Sequence, residues 1–461
     1  MSPETYKNKA LGLFESILNR VGGNGMKNNS ENKYPRILVI SNNAFSSTSN
    51  NGKTLASFFD KLPAENIAQL YFNPEIPDHS YYHNYFRITD KEIVKCIFRK
   101  SDTCGEIIDR KAAKETNTTR DNKDNVIRIL KKYNIVRIIR EILWMSKKWK
   151  TELLDQWLNE FSPEVVFFCA GDSGFAYDIT KYIQKKYNTK LVVYITDDYV
   201  LPRKTLSLFW WLRRNYILKK MGNAIQESDL FITISQSMKE EYKKIFGKDS
   251  ILALNMTESL RDESIPKENK TVLTLVYTGG FHFKRYITLN LLAQSLKKYN
   301  HDIKNKQKAY LKIYSNQEPS NKVLKYLNIK GASEFCGSLN AEQLKKVLNS
   351  SDILVHVESF GRKSIESTRL SISTKIPEYL SLGKPVLAIG PSEIASIKYL
   401  EDCAFCITDP DNIYSDLEKL LNDSELRKEL AVKALRKYDN NHKKEIVSKK
   451  LISSIVNLCD K

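Results

Sequence analysis

The chain is predicted to be an α/β protein built from two successive doubly wound parallel-sheet domains. Three observations lead there. Its 461 residues exceed one ordinary domain at ~150 residues each and suit two α/β domains. Short apolar runs such as RILVIS (36–41), VVFFCA (165–170) and LVVYIT (191–196) read as strands buried on both faces. Helical patterns separate them, as in parallel sheets with helices on either side. Hydrophobic residues are 41% of the chain, enough for two cores and too many for global disorder.

Taken in order, residues 1–33 open with an amphipathic helix pattern (Ala10, Leu11, Leu13, Phe14, Ile17, Leu18) and end in a Gly/Asn-rich linker. The first unit, 34–256, has strands at 36–41, 66–72, 165–170, 191–196 and 230–235. A strand end and a charged connector occupy 251–271. The second unit, 270–437, has strands at 274–280, 310–315, 353–359, 385–390 and 405–409, and 438–461 is a helix expected to pack back toward the first unit. Ligands of such units bind outside the carboxyl ends of the strands, so the cleft between the two is the expected site.

Lys and Arg total 73 against 54 Asp and Glu, a net charge of +19. That excess calls for an anionic partner: nucleic acid, a membrane surface or a phosphorylated substrate. Two segments concentrate it. Residues 95–150 hold sixteen basic and seven acidic residues. A polar loop at 114–125 precedes a helix at 126–150 with aliphatic and basic faces and Trp144 and Trp149 near its end. Residues 202–221 hold six basic residues and no acid. There Trp210 and Trp211 lie between Arg213, Arg214, Lys219 and Lys220 on one side and Arg203 and Lys204 on the other. This composition suits an interfacial helix on anionic lipid. No helix-turn-helix, zinc-finger, RNP or KH signature appears, so nucleic acid is not expected.

No run approaches the ~18–20 apolar residues of a membrane span, and the charged first residues are not expected to be a secretory signal. Seven scattered Cys fit a reducing cytoplasm. Cys403 and Cys406 form a CxxC without a second pair, and burial in a strand is the expected reading; no metal site is expected.

The strongest local pattern is SISTKIPEYLSLGKPVLAIG (371–390). Ser371 or Ser373 can cap a helix, Pro377 fits its first turn, and Gly383 ends it. Thr374, Lys375 and free N–H groups of that turn then point out of the sheet's carboxyl edge, an anion site suited to a diphosphate. Glu378, a turn further in, is placed to accept hydrogen bonds from a ribose diol. GKT at 52–54 is not a P-loop, because Ser47 stands where that signature needs Gly. Asp172 and Asp198 follow strands and face the cleft, where each can orient a hydroxyl or cap the next turn.

K-x-x-E-Y-L-x-x-G-K-P-V resembles the nucleotide-sugar segment of GT-B glycosyltransferases, particularly family 4 and its relatives. YTGGFHFKR (277–285) and FCGSLNAEQLKKVLNSSDILVHVES (335–359) are similar to that family's donor-domain segments. The resemblance covers ~272–410 well and ~36–255 loosely. It implies a GT-B fold, two Rossmann-like domains facing across a cleft. It also implies donor contacts from Gly280, Arg285 (Lys284 second), Arg369, Ser373, Thr374, Lys375 and Glu378, with Gly52 approaching the diphosphate from the other side. The usual E-x7-E spacing fails before Glu378. Glu358 and Glu366 stand in E-x7-E, but Glu366 is twelve residues before Glu378; the resemblance implies a lengthened loop after the strand (358–373), so Glu358 at the strand's end becomes the donor-sugar carboxylate with Glu366 its alternative. Asp172 and Asp198 fall where the family holds acceptor; His282 and His356 flank the donor motifs.

The implied activity is retaining, metal-independent transfer from a UDP- or GDP-linked sugar to a glycan or lipid-linked acceptor at the cytoplasmic membrane face, in cell-surface polysaccharide synthesis. The alternatives are a sugar-nucleotide epimerase on the same scaffold and a non-catalytic nucleotide- and membrane-binding protein.

Overall fold

The computed structural model describes residues 34–47, 50–98, 104–108, 134–264, 271–305 and 307–460. The helix and linker expected at 1–33, the loop at 114–125 and the 126–133 part of the first basic helix lie outside them. The apolar runs fold in chain order as β1 (Ile37–Ser41), α1 (Asn50–Phe59), β2 (Ile67–Tyr71), β3 (Asn84–Arg87), α2 (Asp90–Phe98), β4 (Glu106–Ile107), α3 (Asn134–Trp144) and α4 (Glu152–Phe161). β5 (Val165–Ala170), α5 (Gly174–Tyr187), β6 (Lys190–Ile195), α6 (Leu208–Glu227), β7 (Leu230–Thr233), α7 (Gln236–Phe246) and β8 (Ile251–Leu252) complete the first half. The second half opens with β9 (Val272–Thr278), α8 (Arg285–His301), β10 (Lys308–Tyr314), α9 (Asn321–Leu327), β11 (Ser333–Phe335), α10 (Ala341–Ser350) and β12 (Ile353–Val357). It closes with α11 (Arg362–Thr368), α12 (Lys375–Ser381), β13 (Val386–Ile389), α13 (Ala395–Leu400), β14 (Phe405–Ile407), α14 (Ile413–Asn422), α15 (Ser424–Asn441) and α16 (Lys444–Cys459).

These strands make two sheets, eight strands in the order β4-β3-β2-β1-β5-β6-β7-β8 and six in the order β11-β10-β9-β12-β13-β14. Among the strands of the described residues, only β3 and β4 pair antiparallel. Chain order reverses between β1 and β5 and between β9 and β12. Those two switch points are where a doubly wound sheet opens a crevice for a ligand. β1 and β12 are buried along their whole length because helices cover both faces. α16 runs back onto α1 and β6, and Lys444 pairs with Asp60 and with Glu258.

Two expectations change. The first basic helix ends at Trp144, and Lys147 takes a left-handed turn (φ 58°) after it. Trp144 and Trp149 are 1% and 2% exposed. Trp144 stacks on Phe175 at 3.7 Å and donates to Asp90. Both rings are core, because the turn folds the segment back onto the sheet. No helix among the described residues is long and apolar enough to cross a membrane.

Candidate functional site

The carboxyl ends of β9, β10 and β12 enclose a cavity of about 530 Å³ at the second switch point. Gly280, His282, Arg285, Gln317, His356 and Lys375 are among its lining residues. Gly280 belongs here for a steric reason: a Cβ on it would come 2.9 Å from the His282 ring.

Ser373, Thr374 and Lys375 reach this cavity from the start of α12. The free amides expected there are largely occupied. Ser373 N donates to Ser396 Oγ, Lys375 N to Ser373 Oγ and Ile376 N to Ser373 O. The anion-binding capacity of this turn therefore rests on the Lys375 ammonium more than on the backbone. Lys375 Nζ lies 2.9 Å from Glu378 Oε2, as an i, i+3 pair on one helical face should. Gly383, at φ 58°, turns the chain after α12, as expected.

Arg285 opens α8 and grips Glu358 through two nitrogens at 2.8–3.2 Å. The Glu358 side chain is 2% exposed, and His356 Nε2 lies 3.4 Å from it. Burial would raise this carboxyl; the neighbouring imidazole and guanidinium outweigh it and hold the group below the usual carboxylate range. So Arg285 lines the cavity while Glu358 is buried against it. Glu366 lies elsewhere, accepting from Lys204 N and pairing with Arg362. Lys284 is exposed in a left-handed turn.

Lys375 and Thr374 also border a second cavity, about 740 Å³, which Glu378 shares with Asn43, Asn51, Lys53 and Thr54 of the first half. Gly52 sits at this edge and cannot carry a side chain. A Cβ there would come 2.1 Å from the Ala44 carbonyl oxygen.

Asn43 in turn borders a third pocket, about 260 Å³, at the first switch point. Asp172 lies there between Arg137 and Arg213, each at 2.6 Å. Burial opposes its charge, but the two guanidiniums prevail and lower its pKa. Asp198 is used differently: it caps the amides of Val200 and Leu201 and stands 3.7 Å from Arg369. Arg369 also donates to the Pro202 carbonyl. Ser371 Oγ donates to Asp197, and burial raises that carboxyl's pKa. Of the sequence candidates, then, the structure gathers Gly280, Arg285, Ser373, Thr374 and Lys375 on one cavity and Asp172 on another. It joins Arg369 to Asp198 away from both.

On α6, Arg213 turns inward to Asp172, Arg214 donates to the Val200 carbonyl, and Lys220 pairs with Asp178. Trp211 donates to Thr205 O and packs edge-on to Trp210. Lys219 is exposed. Tyr314, Ser315, Asn316 and Gln317 line the first cavity and were not singled out by sequence. Their signal was available, since they follow an expected strand at its carboxyl end.

No family model and no curated protein sequence matches this chain. Solved structures do. HepE of Anabaena, in complex with UDP, superposes with a TM-score of 0.59 at 11% identity over 92% of this chain and 100% of its own. The trehalose-6-phosphate synthase of Burkholderia multivorans gives 0.57 at 8% identity over 93% and 98%. WaaG, a glycosyltransferase involved in lipopolysaccharide biosynthesis, gives 0.55 at 12% identity over 91% and 99%. The chain has the GT-B fold: two parallel Rossmann-like sheets, as the sequence predicts.

Proposed function

We propose that this protein is a retaining glycosyltransferase using a nucleoside diphosphate sugar, UDP-linked by analogy with the neighbours that bind UDP. The observation that carries the reading is Lys375, which borders both the switch-point cavity and the interdomain one. A diphosphate there takes up the ammonium charge, and Glu378 is released to a ribose hydroxyl. Arg285, held by Glu358, supplies the second cation at the phosphate as the sugar–phosphate bond breaks. Charge stabilisation on the leaving group and positioning of the acceptor then do the catalytic work. Asp172, held ionised by two arginines, orients an acceptor hydroxyl; its lowered pKa makes it a poor base.

The acceptor side is read as docking on an anionic membrane. Leu208, Phe209 and Leu212 on α6 are 66%, 45% and 54% exposed, and Ile139 and Ile142 on the adjacent α3 are 51% and 60%. Exposed Lys147, Lys148 and Lys219 accompany them, which suits lipid carrying negative headgroups. The lipid-linked acceptor and the polysaccharide product belong to the same reading.

Calorimetric titration with UDP tests the donor assignment. Lys375→Ala should weaken UDP about ten- to a hundredfold, the loss of one charge-assisted hydrogen bond worth about 1.5–3 kcal/mol. Unchanged UDP affinity in Lys375→Ala and Glu378→Ala together would remove the site. The anomeric configuration of the transferred sugar, read by NMR on the product, tests retention.

A further inference from the structure

We infer that Ser364 is a positioning residue for the donor: its hydroxyl holds Phe283 and Lys284 in a left-handed turn and so fixes where His282 and Arg285 stand in the cavity. This rests on the donor reading, from which UDP is taken as the ligand. His282 and Arg285, on either side of the turn, line the donor cavity; Phe283, Lys284 and Ser364 do not.

Phe283 has φ 57° and ψ 25°, and Lys284 has φ 62° and ψ 29°. Among the described residues this is the one place where two neighbours are both left-handed. That conformation presses Cβ against the following carbonyl oxygen in every residue but Gly, and neither position is Gly. The local sequence does not favour this start for α8 either. A helix normally begins from an extended residue whose side chain caps the first turn. Lys284 is left-handed in that place and makes no side-chain cap.

A strained backbone persists where its surroundings over-determine it. Three side chains do so here. The Tyr277 hydroxyl donates to Gly280 O at 2.8 Å, Phe281 N donates to Gln317 Oε1 at 2.9 Å, and Ser364 Oγ donates to Phe283 O at 3.0 Å. The first two bonds act ahead of the left-handed pair, and the Ser364 bond acts on the pair itself. Ser364 is buried on α11, and its own carbonyl accepts from Thr368 Oγ1. Glu366, two residues on, accepts from Lys204 N of the first half. The hydroxyl is therefore fixed from its own side. Without it, residues 283 and 284 are free to relax toward the right-handed region, and the backbone that carries Arg285 shifts with them.

The test is calorimetry with UDP on the full chain, with circular dichroism to check that each variant is folded. Ser364→Ala should weaken UDP about fivefold to tenfold, the scale of one hydrogen bond's net worth. A hydroxyl that served stability alone would leave the folded protein's UDP affinity unchanged. Position 283 supplies the second arm. Phe283→Gly and Phe283→Ala both lose the ring, but only Gly takes the left-handed turn without steric cost. In the Ser364→Ala background, Phe283→Gly should therefore bind UDP about threefold or more tighter than Phe283→Ala. The positioning role is wrong if folded Ser364→Ala binds UDP as the parent does, or if Gly and Ala at 283 bind alike. Lys375→Ala is titrated alongside. If it loses UDP and Ser364→Ala does not, the positioning role fails and the donor site stands. If Ser364→Ala loses UDP and Lys375→Ala does not, the turn serves the nucleotide and the Lys375 assignment fails. A parent protein that binds no UDP removes both.

Discussion

The Arg285–Glu358 pair shows how far one residue's setting departs from its letter. A carboxylate 2% exposed is tolerable because a fork of guanidinium nitrogens takes both its oxygens and the His356 ring lies 3.4 Å away. Removing the cation in Arg285→Met strands that charge, and breaking a buried pair in this way costs about 3–5 kcal/mol. The pH dependence follows from the lowered Glu358 pKa. In the parent protein the folded value lies below the unfolded one. The stabilisation is therefore complete above the ordinary Glu pKa of about 4.3 and lost as pH falls through the folded value. In Arg285→Met the His356 ring still lowers the value, but burial, the largest influence, is expected to raise it above the unfolded one. That variant recovers stability as pH falls from 7 toward about 4. Urea unfolding of both proteins at pH 7 and pH 5 should show their difference narrowing at the lower pH. A constant gap would mean that Arg285 does not hold the Glu358 charge. Sequence could place Lys375 and Glu378 together because they stand three apart on one helix. It could not pair Arg285 with Glu358, 73 positions apart.

At the scale of elements, the segment after β12 is a strap between the two halves. α11 and the residues after it send Glu366 to Lys204 N, Arg369 to Pro202 O and Ser371 to Asp197. Ser235 Oγ closes on Leu370 O at 2.6 Å, and the Leu370 side chain, 3% exposed, is part of the first sheet's hydrophobic core. This segment thus plugs one domain into the other. Leu370→Ala should cost about 2–5 kcal/mol in urea unfolding, and Leu370→Met under about 1.5 kcal/mol, since a flexible side chain of similar volume refills the hole. Equal losses in the two variants would deny the plug. The buried central strands were legible because two covered faces demand unbroken apolar runs. β3, β4 and β11 were not: they are edge strands or next to an edge, of two to four residues, and carry polar side chains that such positions allow. The Leu370 plug was illegible for another reason, since a lone Leu in a polar loop has no periodicity to read.

For the whole molecule, the question is what the net charge of +19 does. Part of the local excess is spent internally. Arg213, Arg214 and Lys220 turn to protein partners, so the basic run on α6 is less available to a surface than its letters suggest. Beside exposed Lys219, α6 and α3 present apolar side chains outward: Leu208, Phe209, Leu212, Ile139 and Ile142, with Leu206 and Met145 beside them. Membrane association, on this reading, has two parts of different range. Charge draws the protein to anionic vesicles over a distance of about 10 Å at 0.1 M salt and about 3 Å at 1 M, while the apolar side chains act only on contact. Flotation with vesicles containing phosphatidylserine should therefore weaken as salt rises from 0.05 to 0.5 M, but not vanish. The triple change Leu208→Ser, Phe209→Ser and Leu212→Ser should remove the salt-resistant fraction and leave a weaker, wholly salt-sensitive one. Equal binding to neutral vesicles, or a triple variant indistinguishable from the parent at 0.5 M salt, would place the docking surface elsewhere on the molecule.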